Sequence, residues 1–402
     1  MMLRETRSSN GPIFSRVLLR IERLSHMKKV VFVSGTRADF GKLEPLAAAT
    51  IEQGHEVIFF VTGMHMLKRY GLTKTEVHLK FSNVVEFLNQ RYGDPMDAVI
   101  SKTMIGFSDY LTEAKPDMVV IHGDRVEAFA VAIVCATNYV PCVHIEGGEV
   151  SGTIDEVFRH CNTKLSSTHL VSSEGAKRRV MRLGEPSESI HVIGSPELDI
   201  HSQPSGVTLA EVRERYDILF EDYGICIFHP VTSEFDTIGE QARALFSSLE
   251  RSERQFVVIA PNNDLGSESI FEAIDTLPSK KFRVLPSMRF RHFSELMKNA
   301  SAFVGNSSAG VREAPFLGIP SLDVGTRQRN RAISKGVVSC MADDDAKIQH
   351  FLFNIWGTSL RGHRGFGNGS AVKHFVDLLK QDAFWTAPLQ KTFVDHALKS
   401  AT

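Results

Sequence analysis

Neither of the common glycine-rich nucleotide signatures occurs in this chain. No G-x-G-x-x-G follows the first predicted strand, and no G-x-x-x-x-G-K-[ST] appears anywhere, which argues against a dinucleotide fingerprint and a P-loop. Cysteine is scarce. The five residues, at 135, 142, 161, 226 and 340, show no CxxC spacing. An odd count with Cys135, Cys142 and Cys226 in apolar segments excludes a disulfide framework and fits a reducing, cytoplasmic compartment. An excess of one charge sign is missing too. The net charge is −1, so nothing argues for bulk nucleic-acid or membrane binding. The longest apolar run, Ala128 to Ala136, is too short to span a bilayer, which takes ~20 residues.

What is present is the composition of an ordinary globular protein, with 43% hydrophobic and 23% charged residues over 402 positions. That length allows two domains. Residues 1–26 are basic and read as a leader or disordered tail, with the fold starting at Met27.

The stretch Val119 to His160 organises the chain. A β-branched run, Val119–Ile121, ends in His122-Gly-Asp-Arg. An apolar helix covers Val126 to Thr137, and a second strand, Val140–Ile145, ends in His144-Ile-Glu-Gly-Gly-Glu. Asp155-Glu156 and Arg159-His160 open the next helix. Upstream, Lys29–Ser34 and Val57–Val61 read as strands around a helix from Asp39 to Gln53. Met96–Ala114 is an amphipathic helix stopped before Pro116. A strand at His169–Val171, a helix at Glu174–Leu183 and a strand at Ile190–Ile193 follow. Strands and helices alternate, and the strands are apolar throughout, the pattern of a parallel doubly wound sheet.

Ser195–Gly206 reads as a linker, after which the pattern restarts. Strands are expected at Gly224–Phe228, Phe256–Ala260, Phe282–Leu285, Ala302–Val304 and Ser321–Val324, with a helix at Phe293–Asn299. Past Gly336 the signal weakens to helices at Asp344–Trp356 and Ala371–Leu379. The expected architecture is α/β, with two Rossmann-like doubly wound domains facing each other across a cleft. They cover residues 27–200 and 201–380, and 381–402 form a tail. Ligands of such sheets bind outside the carboxyl ends of the strands. There the first domain offers Arg37, Lys42 and Arg125, and the second offers Asn306-Ser307-Ser308 and Gly310 at a helix start, where free N–H groups favour phosphate.

Eight motifs occur together and in order: Gly35-Thr-Arg-Ala-Asp, Thr62-Gly-Met-His, His122-Gly-Asp-Arg, His144-Ile-Glu-Gly-Gly-Glu, His229-Pro-Val-Thr, Pro261-Asn-Asn-Asp, Gly305-Asn-Ser-Ser and Gly325-Thr-Arg-Gln. The set closely resembles the UDP-N-acetylglucosamine 2-epimerase family over about residues 29–335. More narrowly it resembles the hydrolysing branch that makes free N-acetylmannosamine-type sugars for sialic and legionaminic acid synthesis. The segment Gly147–Gly152 stands where non-hydrolysing members carry Ala-Gly-Leu-Arg. Asn263-Asp-Leu-Gly and Pro286-Ser-Met-Arg-Phe resemble the subgroup acting on a 2,4-diacetamido-2,4,6-trideoxy sugar, within which the nucleotide is UDP or GDP.

The resemblance implies a GT-B-like fold without cofactor or metal, a nucleotide-sugar substrate and a homo-oligomer, dimer or tetramer. It implies anti elimination of the nucleoside diphosphate to a 2-acetamidoglycal, then addition of water with inverted C2 configuration. Carried over residue by residue, Asp124, Glu146, Asp155 and His229 are the catalytic positions. Arg37, Lys42, Arg125, Asn262, Ser307, Ser308, Glu313 and Arg327 are the substrate and nucleotide contacts.

Several readings stay open at this point. Asp124 and Asp155 can equally be helix caps, and Glu156 can replace Asp155. The pairs His122-x-Asp124 and His144-x-Glu146 each place two metal-ligand types on one strand face. A non-hydrolysing epimerase and a GT-B glycosyltransferase are the competing activities.

Overall fold

The computed structural model describes residues 27–331 and 334–396; the expected leader at 1–26 lies outside them. Two parallel sheets form. The first orders its strands β3-β2-β1-β4-β5-β6-β7, with β1 at Lys29–Ser34, β2 at Glu56–Val61, β3 at Val84–Glu86, β4 at Met118–His122, β5 at Cys142–Ile145, β6 at Thr168–Val171 and β7 at Ile190–Val192. The second orders them β10-β9-β8-β11-β12-β13, with β8 at Gly224–Ile227, β9 at Phe256–Ile259, β10 at Phe282–Leu285, β11 at Ala302–Gly305, β12 at Ser321–Val324 and β13 at Val337–Cys340. This is the expected pair of doubly wound, GT-B-like domains.

The apolar strands are explained by burial on both faces. Val30, Phe32 and Val120 enter one core layer, and Val31, Val33, Val119 and Ile121 enter the opposite one, because alternate side chains of a strand point to opposite faces. Strand order reverses between β1 and β4 and again between β8 and β11. The loops leaving these strands diverge there and leave a crevice for a ligand.

Four elements depart from the sequence reading. The expected linker contains a helix, Pro196–Ser202, with proline in its first turn and Glu197, Leu198 and His201 buried; Glu197 accepts from Ser195 and His201 contacts Glu313. The short edge strands β3 and β13 carry partly exposed side chains, so they lack the long apolar run that marks the central strands. The helix Ala371–Leu379, expected at the end of the second domain, returns to the first: Phe375, Leu378 and Phe384 pack in one cluster with Phe40, Leu43 and Leu46. Its spacing shows an apolar face but not which sheet receives it. No helix among the described residues is long and apolar enough to cross a membrane.

Candidate active site

The carboxyl ends of the two sheets enclose a cavity of about 290 Å³. Asp124, Glu146, Asp155 and His229 line it, as do Arg37, Lys42, Arg125, Asn262, Ser307, Ser308, Glu313 and Arg327. The sheets therefore bring every carried-over position to one cleft.

Glu146 follows β5 directly and takes a left-handed backbone, φ 64°, which is uncommon for a residue with a side chain. The next turn needs glycine: a Cβ on Gly148, φ 73°, would lie 2.4 Å from the Ala176 carbonyl oxygen. This sharp exit from the strand directs the Glu146 carboxylate toward the second domain. Arg312 of that domain grips both its oxygens, with Nη1 at 2.7 Å from Oε2. Lys42 Nζ and His122 Nε2 each stand 3.1 Å from Oε2, and Ser195 Oγ contacts Oε1. Burial pushes the carboxyl up, but Arg312, Lys42 and His122 outweigh it and hold Glu146 well below the usual carboxylate range. His122 also lies 2.8 Å from Asp39 through Nδ1. Both ring nitrogens face carboxylates, so both donate and the ring is an imidazolium. Burial works against that charge, and the contacts to Asp39 and Glu146 overcome it.

Asp124 pairs with buried Arg159. Asp155 faces the cleft, accepts from Thr153 Oγ1 at 2.9 Å and lies 3.6 Å from Arg327. Burial, and then repulsion from Asp264, raise its carboxyl above the ordinary aspartate value. Its neighbour Glu156 does not line the cavity; it accepts from the Ser151 N–H at 2.5 Å. Consecutive helical residues point ~100° apart at 3.6 per turn, so only one of the two can face the site, and it is Asp155.

On the second wall, Asn306 clamps the His229 backbone, its Oδ1 accepting at 2.6 Å and its Nδ2 donating at 2.8 Å. The Asn262 backbone N–H donates to His229 Nδ1 at 3.1 Å, which leaves the ring proton on Nε2. Burial, with Arg327 adding to it, lowers the imidazole to about 3, so His229 presents a neutral N–H donor at working pH. Ser307 accepts from the Ala309 N–H at 3.4 Å, and Glu313 is held by His201 at 2.5 Å.

Two of the cleft cations also pair with carboxylates of the protein. Arg125 extends across the cleft to Asp264 at 2.8 Å and to the Asn263 side-chain oxygen at 2.9 Å. It ties the domains together, and its guanidinium is largely engaged. Arg37 is paired with Glu76, although its Nε and Nη1 are buried without partners.

Sequence reading left Arg312 and Arg331 unassigned and singled out Arg159 only in passing. Arg331 lines the cleft and lies 3.7 Å from Glu149. Burial and then Arg331, Arg312 and Arg327 depress Arg159 well below the ordinary guanidinium value. Such mutual repulsion is relieved by an anion. The Nε atoms of Arg327 and Arg331 are also buried without a hydrogen bond, so the cleft holds unspent donors beside crowded positive charge. Arg312 follows the Gly305-Asn-Ser-Ser motif by four residues, but its target is set by how the two domains meet.

The strand-face pairs do not converge as metal ligands. His144 uses Nε2 on the Gly123 carbonyl at 2.8 Å and Nδ1 on Thr163 at 3.2 Å. Among the described residues no group of three or more His, Cys, Asp or Glu is arranged to hold a metal.

Buried histidines make the fold acid-sensitive. Burial lowers His65 to about 4 and His144 to about 3, from an ordinary 6.5. Below pH 6.5 the unfolded chain takes up protons that the folded chain refuses, so stability falls with pH until these lower values are passed. The urea midpoint is expected to drop between pH 7 and pH 5; an equal midpoint at both would contradict the burial of neutral rings.

Two Rossmann-like domains closing on paired carboxylates, crowded arginines and a helix start define a GT-B-like α/β protein with a charged cleft between its sheets. Comparison with known proteins agrees. The UDP-N-acetylglucosamine 2-epimerase family matches residues 48–380, and the chain belongs to that family. A Neisseria meningitidis serogroup B relative called UDP-N-acetylglucosamine 2-epimerase is 42% identical over 380 residues, covering 92% of this chain and 99% of the relative. A Legionella pneumophila relative called UDP-N,N'-diacetylbacillosamine 2-epimerase (hydrolyzing) is 31% identical, covering 88% and 96%. The fold superposes on the Methanocaldococcus jannaschii UDP-GlcNAc 2-epimerase, solved with UDP-GlcNAc and UDP, with TM-score 0.75, 19% identity, and 87% and 99% coverage.

Proposed function

We propose that this enzyme is a hydrolysing sugar-nucleotide 2-epimerase. It converts UDP-N-acetylglucosamine, or its 2,4-diacetamido-2,4,6-trideoxy analogue, and water to the free manno-configured sugar and UDP. The observation that carries the reading is the pairing of walls: Asp124, Glu146 and Asp155 of the first domain face His229, Ser307, Ser308 and Arg327 of the second across one cavity. The Legionella relative's name and the Gly147–Gly152 segment favour the hydrolysing outcome. That segment meets the second domain directly, since the Gly152 N–H donates to the Arg327 carbonyl at 3.0 Å.

The chemistry needs charge of both signs. No carbonyl flanks C2 of the sugar, so its hydrogen becomes removable only as the C1–O bond breaks and positive charge develops on the ring. The diphosphate leaves toward Arg327, Arg331 and the His229 N–H, which stabilise its added charge. Asp124 and Glu146 offer carboxylates to the ring, and Asp155, whose carboxyl burial and Asp264 raise above the ordinary aspartate value, is suited to carrying a proton. Water then adds across the double bond of the glycal.

Ser307→Ala combined with Ser308→Ala is expected to raise KM strongly and to weaken UDP binding measured by calorimetry; unchanged UDP affinity would place the phosphates elsewhere. The test of the activity itself is the NMR spectrum of products formed from UDP-N-acetylglucosamine and from its diacetamido analogue. The expected product is a free manno sugar with UDP. Sugar still attached to the nucleotide would instead support the plain epimerase activity that the Neisseria relative's name suggests.

A further inference from the structure

Behind Glu146 lies a second carboxyl that does not line the cleft. Glu197 is 1% exposed. Its Oε2 lies 2.8 Å from Ser195 Oγ, and the same Ser195 oxygen contacts Glu146 Oε1. A serine hydroxyl has one proton to give. Two ionised carboxylates cannot both be hydrogen-bonded to it, so one of the two carries a proton.

The surroundings decide which one. Glu146 is ringed by donors: both Arg312 Nη atoms, Lys42 Nζ and His122 Nε2. A proton on Glu146 would have Ser195 Oγ as its one acceptor and would give up the ionic contacts with Arg312, Lys42 and His122. Glu197 is less well served. Arg312 Nη2 lies 2.9 Å and Lys42 Nζ 3.6 Å from its Oε1, yet that oxygen is buried without an aligned hydrogen bond.

We propose that Glu197 is kept as a neutral carboxylic acid and acts, through Ser195, as the positioning group for the Glu146 carboxylate. Glu197 Oε2–H donates to Ser195 Oγ, and Ser195 Oγ–H donates to Glu146 Oε1. This fixes the carboxylate on its left-handed turn and keeps the buried cage from holding one more negative charge. The importance of that position for turnover rests on the 2-epimerase reading above; the proton on Glu197 does not.

The charged groups facing Glu197 are Lys42 from the helix Arg37–Glu52, Glu146 after β5, and Arg312 and Glu313 from the second domain. His201, on its own helix, faces it through Glu313, and His122 stands beyond Glu146. Burial raises the Glu197 carboxyl, Glu146 and Glu313 add to this, and Arg312 and Lys42 oppose it. Loss of the proton at high pH would set two carboxylates against one serine and loosen Glu146.

The test uses infrared difference spectra of the purified full-length protein at neutral pH. Wild type is expected to show a protonated carboxylic acid carbonyl band that is missing in Glu197→Gln and shifted in Ser195→Ala. Absence of that band would overturn the proposal whether or not the enzyme turns over. In kinetics, Glu197→Gln keeps a neutral donor, whereas Glu197→Ala should lose kcat by about tenfold more than the Gln variant, near the worth of one hydrogen bond. The alkaline fall in kcat should weaken in Glu197→Gln. Equal losses in the Gln and Ala variants would mean that Glu197 acts as an anion and would overturn the assignment.

Discussion

Arg312→Met is expected to be the most damaging single substitution outside the apolar cores. Arg312 is 1% exposed and bridges Glu146 and Glu197 across the domain boundary. Its removal strands buried negative charge, and breaking a buried pair from one side costs about 3–5 kcal/mol. Urea unfolding should show that loss, and turnover should vanish with it because Glu146 is no longer held. The double variant Arg312→Met/Glu146→Gln should recover part of the stability, with a coupling of roughly 0.5–3 kcal/mol. A stability change under about 1 kcal/mol in the single variant would mean that the charges are neutralised by other groups.

The second large effect is on rate. Glu146→Gln and Asp124→Asn should fold and yet lose turnover by ~10²-fold or more, the usual contribution of a positioned acid or base. Asp124 is partly exposed and pairs with buried Arg159, so its amide leaves that guanidinium short of a counter-charge and some loss of stability is expected alongside the loss of rate. Glu146→Gln keeps the shape of the side chain but turns one oxygen into an NH2 group facing Arg312, so some loss of stability is expected alongside the loss of rate. Unchanged kcat in either variant would remove that residue from the mechanism. Failure of Asp124→Asn to fold would make Asp124 a structural counter-charge for Arg159.

Much of this site is legible in the sequence for a simple reason. A buried parallel strand is apolar, so the first charged residues after it mark its carboxyl end, as in His122-Gly-Asp-Arg and His144-Ile-Glu-Gly-Gly-Glu. The ends of separate strands then fall together because the sheet places them side by side. What depends on the meeting of the two domains is not legible. Arg125 reads as a substrate or nucleotide contact, and its link to Asp264 across the cleft appears only in the folded structure. Arg312 receives no assignment from the sequence, but it is the main partner of Glu146. The choice of Asp155 over Glu156 depends on the rotation of one helix, which a two-residue acidic pair does not specify. The helix Ala371–Leu379 has a clear apolar face, and only the tertiary structure shows that this face covers the first domain. The segment Ser195–Gly206 reads as linker because it is polar, yet its Ser195 and Glu197 are buried beside Glu146, where polar groups are satisfied by each other.

The central claim is that elimination comes first and water adds afterwards. It is tested most directly by running the reaction in heavy water and reading the product by NMR. In this account the C2 hydrogen leaves as a proton, the base exchanges it with solvent, and a deuteron is delivered to the opposite face. The predicted result is a free manno-configured sugar carrying deuterium at C2, released together with the nucleoside diphosphate. A free manno sugar without deuterium at C2, or a gluco sugar that retains its original hydrogen, would contradict it.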